Sequence, residues 1–186
     1  MTDILFAFLA VAVGFAALLA GKRFPSASRR ITVAIGVFYV IGLLYFTLLS
    51  RAPSGDNRIN LVPFFTLMRS VKHPVRLSKA VRALAAGRWE EVFSTLKPIR
   101  TAILNVFLFI PFGYLLPEFG KEKKTVGSVV LTALAVSCVI ETVQMITALG
   151  WFDVDDLMCN LTGALIGFGL SKSLPHAKRK EERNHE

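Results

Sequence analysis

The sequence predicts an all-helical integral membrane bundle of about five transmembrane helices, with an amphipathic interfacial segment between the second and third. Three observations carry this. The chain has 186 residues, of which 53% are hydrophobic and only 19% charged, too apolar for an ordinary soluble domain. Its apolar residues gather into runs at Ile4–Ala20, Ile31–Ser50, Thr101–Leu116, Thr125–Leu149 and, more broken, Leu157–Leu170. About 20 residues at ~1.5 Å each cross a ~30 Å hydrocarbon layer, a length that the first four runs approach or exceed and the fifth falls short of. All 22 basic residues fall outside the cores of the runs.

The first run is short, but it lacks a preceding basic region, and Lys22-Arg23 follow it, so it reads as a retained helix rather than a signal. No extramembrane stretch is long enough for a core of its own, so residues 1–174 form one membrane domain with a basic tail at 175–186. The net charge of +9 is placed as topology requires, between and after the runs, which argues for lipid headgroups and against nucleic acid. Five crossings put twelve basic residues on the side of the short loops and the tail, and ten on the other. The positive-inside rule weights short loops most, so the N-terminus is expected outside and the C-terminus in the cytoplasm.

Residues 51–100 are not a plain loop. Ile59–Met68 is apolar. In Val75–Ala86, Leu77, Val81, Leu84 and Ala85 recur at helical spacing, with Arg76, Lys79 and Arg82 between them. Trp89, Val92, Phe93 and Leu96 repeat the pattern and end before Pro98. Two helices lying on the membrane surface fit this, with Arg76, Lys79 and Arg82 binding headgroups. Two helices packed on each other are the plainer alternative.

Polar residues inside lipid are costly and tend to mark function. Alternating the runs brings Asn105, Glu141, Gln144, Asp156 and Asn160 to one depth, in the outer leaflet, together with Arg51 and Asn60 at the run ends. Glu141 and Gln144 share a helix face, as do Asp156 and Asn160. Arg51 is the nearest natural cation for Glu141. These residues define an expected polar pocket, although buried amides also serve as helix glue. Asp155-Asp156 fit an N-cap and helix-dipole device for the last run. Gly163 and Gly167 form a GxxxG packing pair, and Pro111 interrupts the third run. Cys138 and Cys159 lack metal or disulfide spacing and read as packing residues. No metal or cofactor is expected.

Four blocks then carry a resemblance. They are Asn60-Leu61-Val62-Pro63-Phe64, Asn105 to Gly113, Glu141-Thr142-Val143-Gln144 and Asp153 to Gly163. In this order they resemble the VanZ-like family of bacterial membrane proteins, named for a teicoplanin-resistance protein, over about Tyr39 to Leu170. The resemblance implies an inner-membrane envelope protein, in some members linked to glycopeptide tolerance, with a lipid-linked cell-wall intermediate or a glycopeptide as implied partner. It supplies no reaction.

Three functions compete. An envelope factor would bind membrane lipids or a polar or anionic lipid-linked headgroup in the pocket. An intramembrane enzyme would use Glu141 as acid or base, with Asp156 as its partner. A small proton-coupled transporter would use Glu141 as a relay, although no inverted repeat is visible.

Overall fold

The computed structural model describes residues 28–49, 58–65, 68, 74–118 and 124–173. The first apolar run, Arg51 and the basic tail lie outside these residues. Among the described residues there are six α-helices: α1 (Ser28–Leu44), α2 (Pro74–Ala85), α3 (Trp89–Thr95), α4 (Lys97–Leu115), α5 (Val126–Ile146) and α6 (Val154–Ser173). Two very short strands, β1 (Ile59–Asn60) and β2 (Phe152–Asp153), pair in parallel.

Among the described residues two helices, α4 and α5, are long and apolar enough to cross a membrane, and a shorter apolar helical stretch, Ala34–Leu48, runs from α1 into the π-helical turn Tyr45–Leu49. Their outward faces are apolar too: Leu131, Val139 and Ile146 on α5 and Ile103 on α4 are exposed. A helix apolar on its exposed side suits a hydrocarbon solvent. α6 carries Asp155, Asp156 and Lys172, so its composition alone does not mark it as a span.

Local chemistry sets the helix ends. Thr125 and Ser128 form a reciprocal cap at the start of α5, the Thr125 N–H donating to Ser128 Oγ at 3.0 Å and the Ser128 N–H to Thr125 Oγ1 at 3.2 Å. Ala148, in left-handed backbone (φ 56°), ends α5. Its N–H donates to the Met145 carbonyl at 3.2 Å, and the Leu149 N–H donates to the Gln144 carbonyl at 2.8 Å. This is the Schellman pattern with alanine where glycine is usual. Pro98, expected to stand beyond a helix end, instead sits in the first turn of α4, which begins at Lys97 rather than Thr101. Proline suits that turn because its missing N–H would have had no helical partner.

Backbone contact dominates the pairing of α4 with α6. A Cβ on Gly163 would collide with the Val106 carbonyl, one on Gly167 with the Ile110 carbonyl, and one on Gly113 with the Ala164 carbonyl. The GxxxG reading of α6 therefore holds, and Gly113 supplies the matching notch on α4. The Gly163–Val106 and Gly167–Ile110 contacts advance in the same direction along both helices, so α4 and α6 run parallel, while Asn160–Ser137 and Asp153–Glu141 show α5 antiparallel to α6. The apolar core is Leu43, Leu108, Phe109, Val129, Ala133, Ile140, Ala164 and Phe168. Pro111 is buried inside α4, which continues through it. One turn earlier, the Tyr39 hydroxyl of α1 donates to the Leu108 carbonyl at 2.5 Å.

The buried stripe of α5 changes character along its length. Val129 and Ala133 are followed on the same face by Ser137, Glu141 and Gln144, all buried. α6 mirrors this in the opposite direction, from Asp155 and Asn160 to Gly163, Ala164, Gly167 and Phe168. The bundle interior is thus polar at one end and apolar at the other.

Candidate functional site at the polar end of the bundle

The polar end is where α5 ends, α6 begins and residues 58–65 dock. β1 lies beside β2 with Ile59 opposite Phe152 and Asn60 opposite Asp153. The Phe152 N–H donates to the Arg58 carbonyl at 3.0 Å, and the Arg58 guanidinium lies 5.1 Å over the Trp151 ring.

Carboxylates hold this strap. Asn60 Nδ2 donates to Asp153 Oδ1 at 2.9 Å. The same oxygen accepts the Asp155 N–H at 3.0 Å, so Asp153 also caps α6. Asp155 Oδ1 accepts the Phe64 N–H. Glu141 Oε2 accepts the Asp153 N–H at 3.3 Å. Phe64 itself is in left-handed backbone (φ 60°). A bulky residue rarely adopts this region, and surroundings must hold it there.

Glu141 is 2% exposed and Asp155 4%. Asp155 and Asp156 lie in the first turn of α6, where the positive end of the helix dipole favours negative charge. Among the described residues, no three of His, Cys, Asp and Glu are arranged to hold a metal ion.

Two of the three buried amides among the described residues join helices of the bundle. Gln144 Nε2 donates to the Thr47 carbonyl of the π-helical turn Tyr45–Leu49, at 2.9 Å. Asn160 Nδ2 donates to Ser137 Oγ at 2.7 Å. Glu141, Gln144, Asn160 and Asn60 thus converge at one end. Asn105 is buried on α4, where it adjoins the Gly163–Val106 contact. Asp156 is half-buried, and the neighbouring Asp155 accepts the Phe64 N–H of the strap. The N-cap of α6 is Asp153, because the helix starts at Val154 and not after the acidic pair.

Sequence reasoning missed Asp153 and Asp155 as members of this network, and Thr47 and Ser137 as partners. Asp153 was findable as an aspartate just before a helical run. Of the expected headgroup ligands, Lys79 and Arg82 are exposed on α2, and Lys79 Nζ lies 3.5 Å from Glu91 Oε1. Arg76 lies on α2 too, but its side chain is outside the described set.

Fold and site together define a helical membrane-type bundle with a polar, carboxylate-rich end closed by a short strap. The chain belongs to the VanZ/LLP1 family, which matches residues 36–175. The protein VanZ of Enterococcus faecium is similar to it, 33% identical over 90 residues, 47% of this chain and 55% of that protein. The chain thus spans about half the length of this curated relative. No solved structure matches.

Proposed function

We propose that this chain is a multi-pass envelope protein of the bacterial inner membrane, crossing it about five times with the N-terminus outside, and that its polar end binds the headgroup of a lipid-linked molecule in the outer leaflet. By similarity to VanZ, the proposed physiological output is tolerance of glycopeptides such as teicoplanin.

The observation that carries the reading is the strap. Residues 58–65 place Ile59, Leu61, Val62, Phe64 and Phe65, all exposed, directly beside the Glu141–Asp153–Asp155 network. An apolar ledge beside a carboxylate-rich polar end matches a molecule with acyl or prenyl chains below a polar head. Carboxylates accept from hydroxyl and amine donors and repel phosphate, so sugar or peptide groups of the head would face the half-buried Asp156. A phosphate would lie toward Arg58.

Native mass spectrometry of protein purified from bacterial membranes tests this. A co-purifying lipid with a sugar- or peptide-bearing head is expected, reduced about tenfold in Asp156→Asn, equivalent to the loss of one charge-assisted bond. Equal retention of bulk phospholipid alone in both proteins would remove the reading.

A second reading rests on the burial of Glu141, a carboxyl group placed to act as general acid or base on a lipid or glycan carrier. Turnover of a labelled carrier by the wild type, abolished in Glu141→Gln while lipid retention persists, would favour it.

A further inference from the structure

α2 and α3 pack on each other as an antiparallel hairpin, turning at Gly87 (φ 68°). Ala80, Ala83 and Val92 fill the seam and are buried. Antiparallel order follows from two contacts: the Arg88 N–H donates to the Ala83 carbonyl at 2.8 Å, and Lys79 reaches Glu91.

Helical phase then sorts exposed residues onto two sides of the hairpin, with Ala85, Glu90 and Ser94 pointing away from the seam. On α2, at 100° per residue, Val81 and Leu84 lie on one side of the Ala80–Ala83 seam, and Lys79 and Arg82 on the other. On α3, Trp89 and Phe93 lie on one side of Val92, and Arg88 and Glu91 on the other. The ion pairs fix which sides coincide. Glu91 holds Lys79 at 3.5 Å and Arg88 Nε at 2.9 Å, so all three, with Arg82, form one face. Val81, Leu84, Trp89 and Phe93 form the opposite face, and each is exposed.

This hairpin cannot stand far from the membrane boundary. Only Leu96 separates the last residue of α3 from Lys97, the first of the spanning helix α4. An apolar face of Val, Leu, Trp and Phe, backed by an ionic face and tethered to the end of a span, fits one surface.

We infer that the α2–α3 hairpin lies on the bilayer with Val81, Leu84, Trp89 and Phe93 sunk into the headgroup–acyl boundary of phospholipid, and the Lys79–Glu91–Arg88 face turned to water. This differs from an expectation in which Lys79 and Arg82 capture headgroups directly. Lys79 is engaged by Glu91, and both cations stand on the face away from the apolar one, reaching phosphates only from above. The inference is independent of the headgroup reading at the polar end, and either can fail alone.

Two tryptophans exist, Trp89 and Trp151, so Trp151→Phe leaves Trp89 as the sole reporter. The full chain carrying this substitution is reconstituted in vesicles of phosphatidylcholine and phosphatidylglycerol. Bromines high on the acyl chain should quench Trp89 emission about twofold or more, and more than bromines near the chain end, because interfacial helices sink only ~5–10 Å. Aqueous iodide should quench little. Adding Val81→Lys and Leu84→Lys should reverse the ranking, with iodide quenching up and bromine quenching down. Iodide quenching in the parent would show the face in water and overturn the inference. Protection from both quenchers would show it covered by protein, such as a second copy, and overturn it equally. If the lysine variant proved misfolded, the parent's quenching ranking would decide alone.

Discussion

Asn60 Nδ2 sits 2.9 Å from Asp153 Oδ1, joining two residues 93 positions apart in the chain. The bond fixes where the strap lies, and the same Asp153 oxygen caps α6. A single carboxylate therefore ties a loop to the start of α6. The neighbouring Asp155 adds a second tie through the Phe64 N–H.

Replacing Asp155 with alanine should free the strap. The lost acceptor leaves the Phe64 N–H without its carboxylate and is expected to cost about 1–3 kcal/mol, whereas Asp155→Asn retains an acceptor and costs less. Hydrogen exchange in nanodiscs measures this. Peptides covering 59–65 should exchange faster in Asp155→Ala, and those covering α5 should not. Unchanged exchange at 59–65 would show that the strap is held by something else.

The α4–α6 seam should reject side chains. Gly113→Ala, Gly163→Ala or Gly167→Ala would each press a methyl group into a backbone carbonyl, which cannot move aside as a side chain can. A loss of about 1–3 kcal/mol or more is expected for each. Gly169 on α6 has open space around its Cβ position, so Gly169→Ala should gain about 0.5–1 kcal/mol from helix propensity. Reversible unfolding in mixed micelles compares the four.

Ala148 holds a left-handed conformation that costs an L-residue roughly 1–2 kcal/mol. Ala148→Gly is expected to stabilise α5 by about 1 kcal/mol without altering the bundle. The same unfolding measurement checks it, and a destabilised variant would contradict the cap geometry.

Asn160 and Ser137 meet across α5 and α6 at 2.7 Å in a buried setting. A double-mutant cycle with Asn160→Leu and Ser137→Ala should return a coupling of about 0.6–1.7 kcal/mol, the range for hydrogen bonds between membrane helices. Zero coupling would mean that the two residues stabilise the bundle separately.

The spanning helices were legible because hydrophobic length is a one-dimensional property. Residues 101–116 and 125–149, read from composition, fall on α4 and α5 to within a turn. The convergence of Glu141, Gln144 and Asn160 was legible for a related reason: alternating helices bring α5's end and α6's start to one level. Asp155 was not. The buried phase of α6 runs through Asn160, Gly163, Gly167 and Ser171, and stepping back one turn selects Asp156 or Leu157. Asp155 lies off that phase and is buried by the strap, whose two-residue pairing with Phe152–Asp153 has no period to read. Thr47 escaped notice because its carbonyl, not its side chain, receives Gln144. Pro98 misled in the other direction, since proline both ends helices and begins them.

The central claim is that the strap and the carboxylate network bind a lipid-borne headgroup. Photo-crosslinking in native membranes tests it most directly, with a photoreactive phenylalanine replacing either Phe65 on the strap or Leu131, which is 71% exposed on the outer face of α5. The account predicts that position 65 captures a lipid with a sugar- or peptide-bearing head, enriched over its share of the membrane, while position 131 captures bulk phospholipid. The same lipid set at both positions, in proportion to membrane abundance, would contradict it.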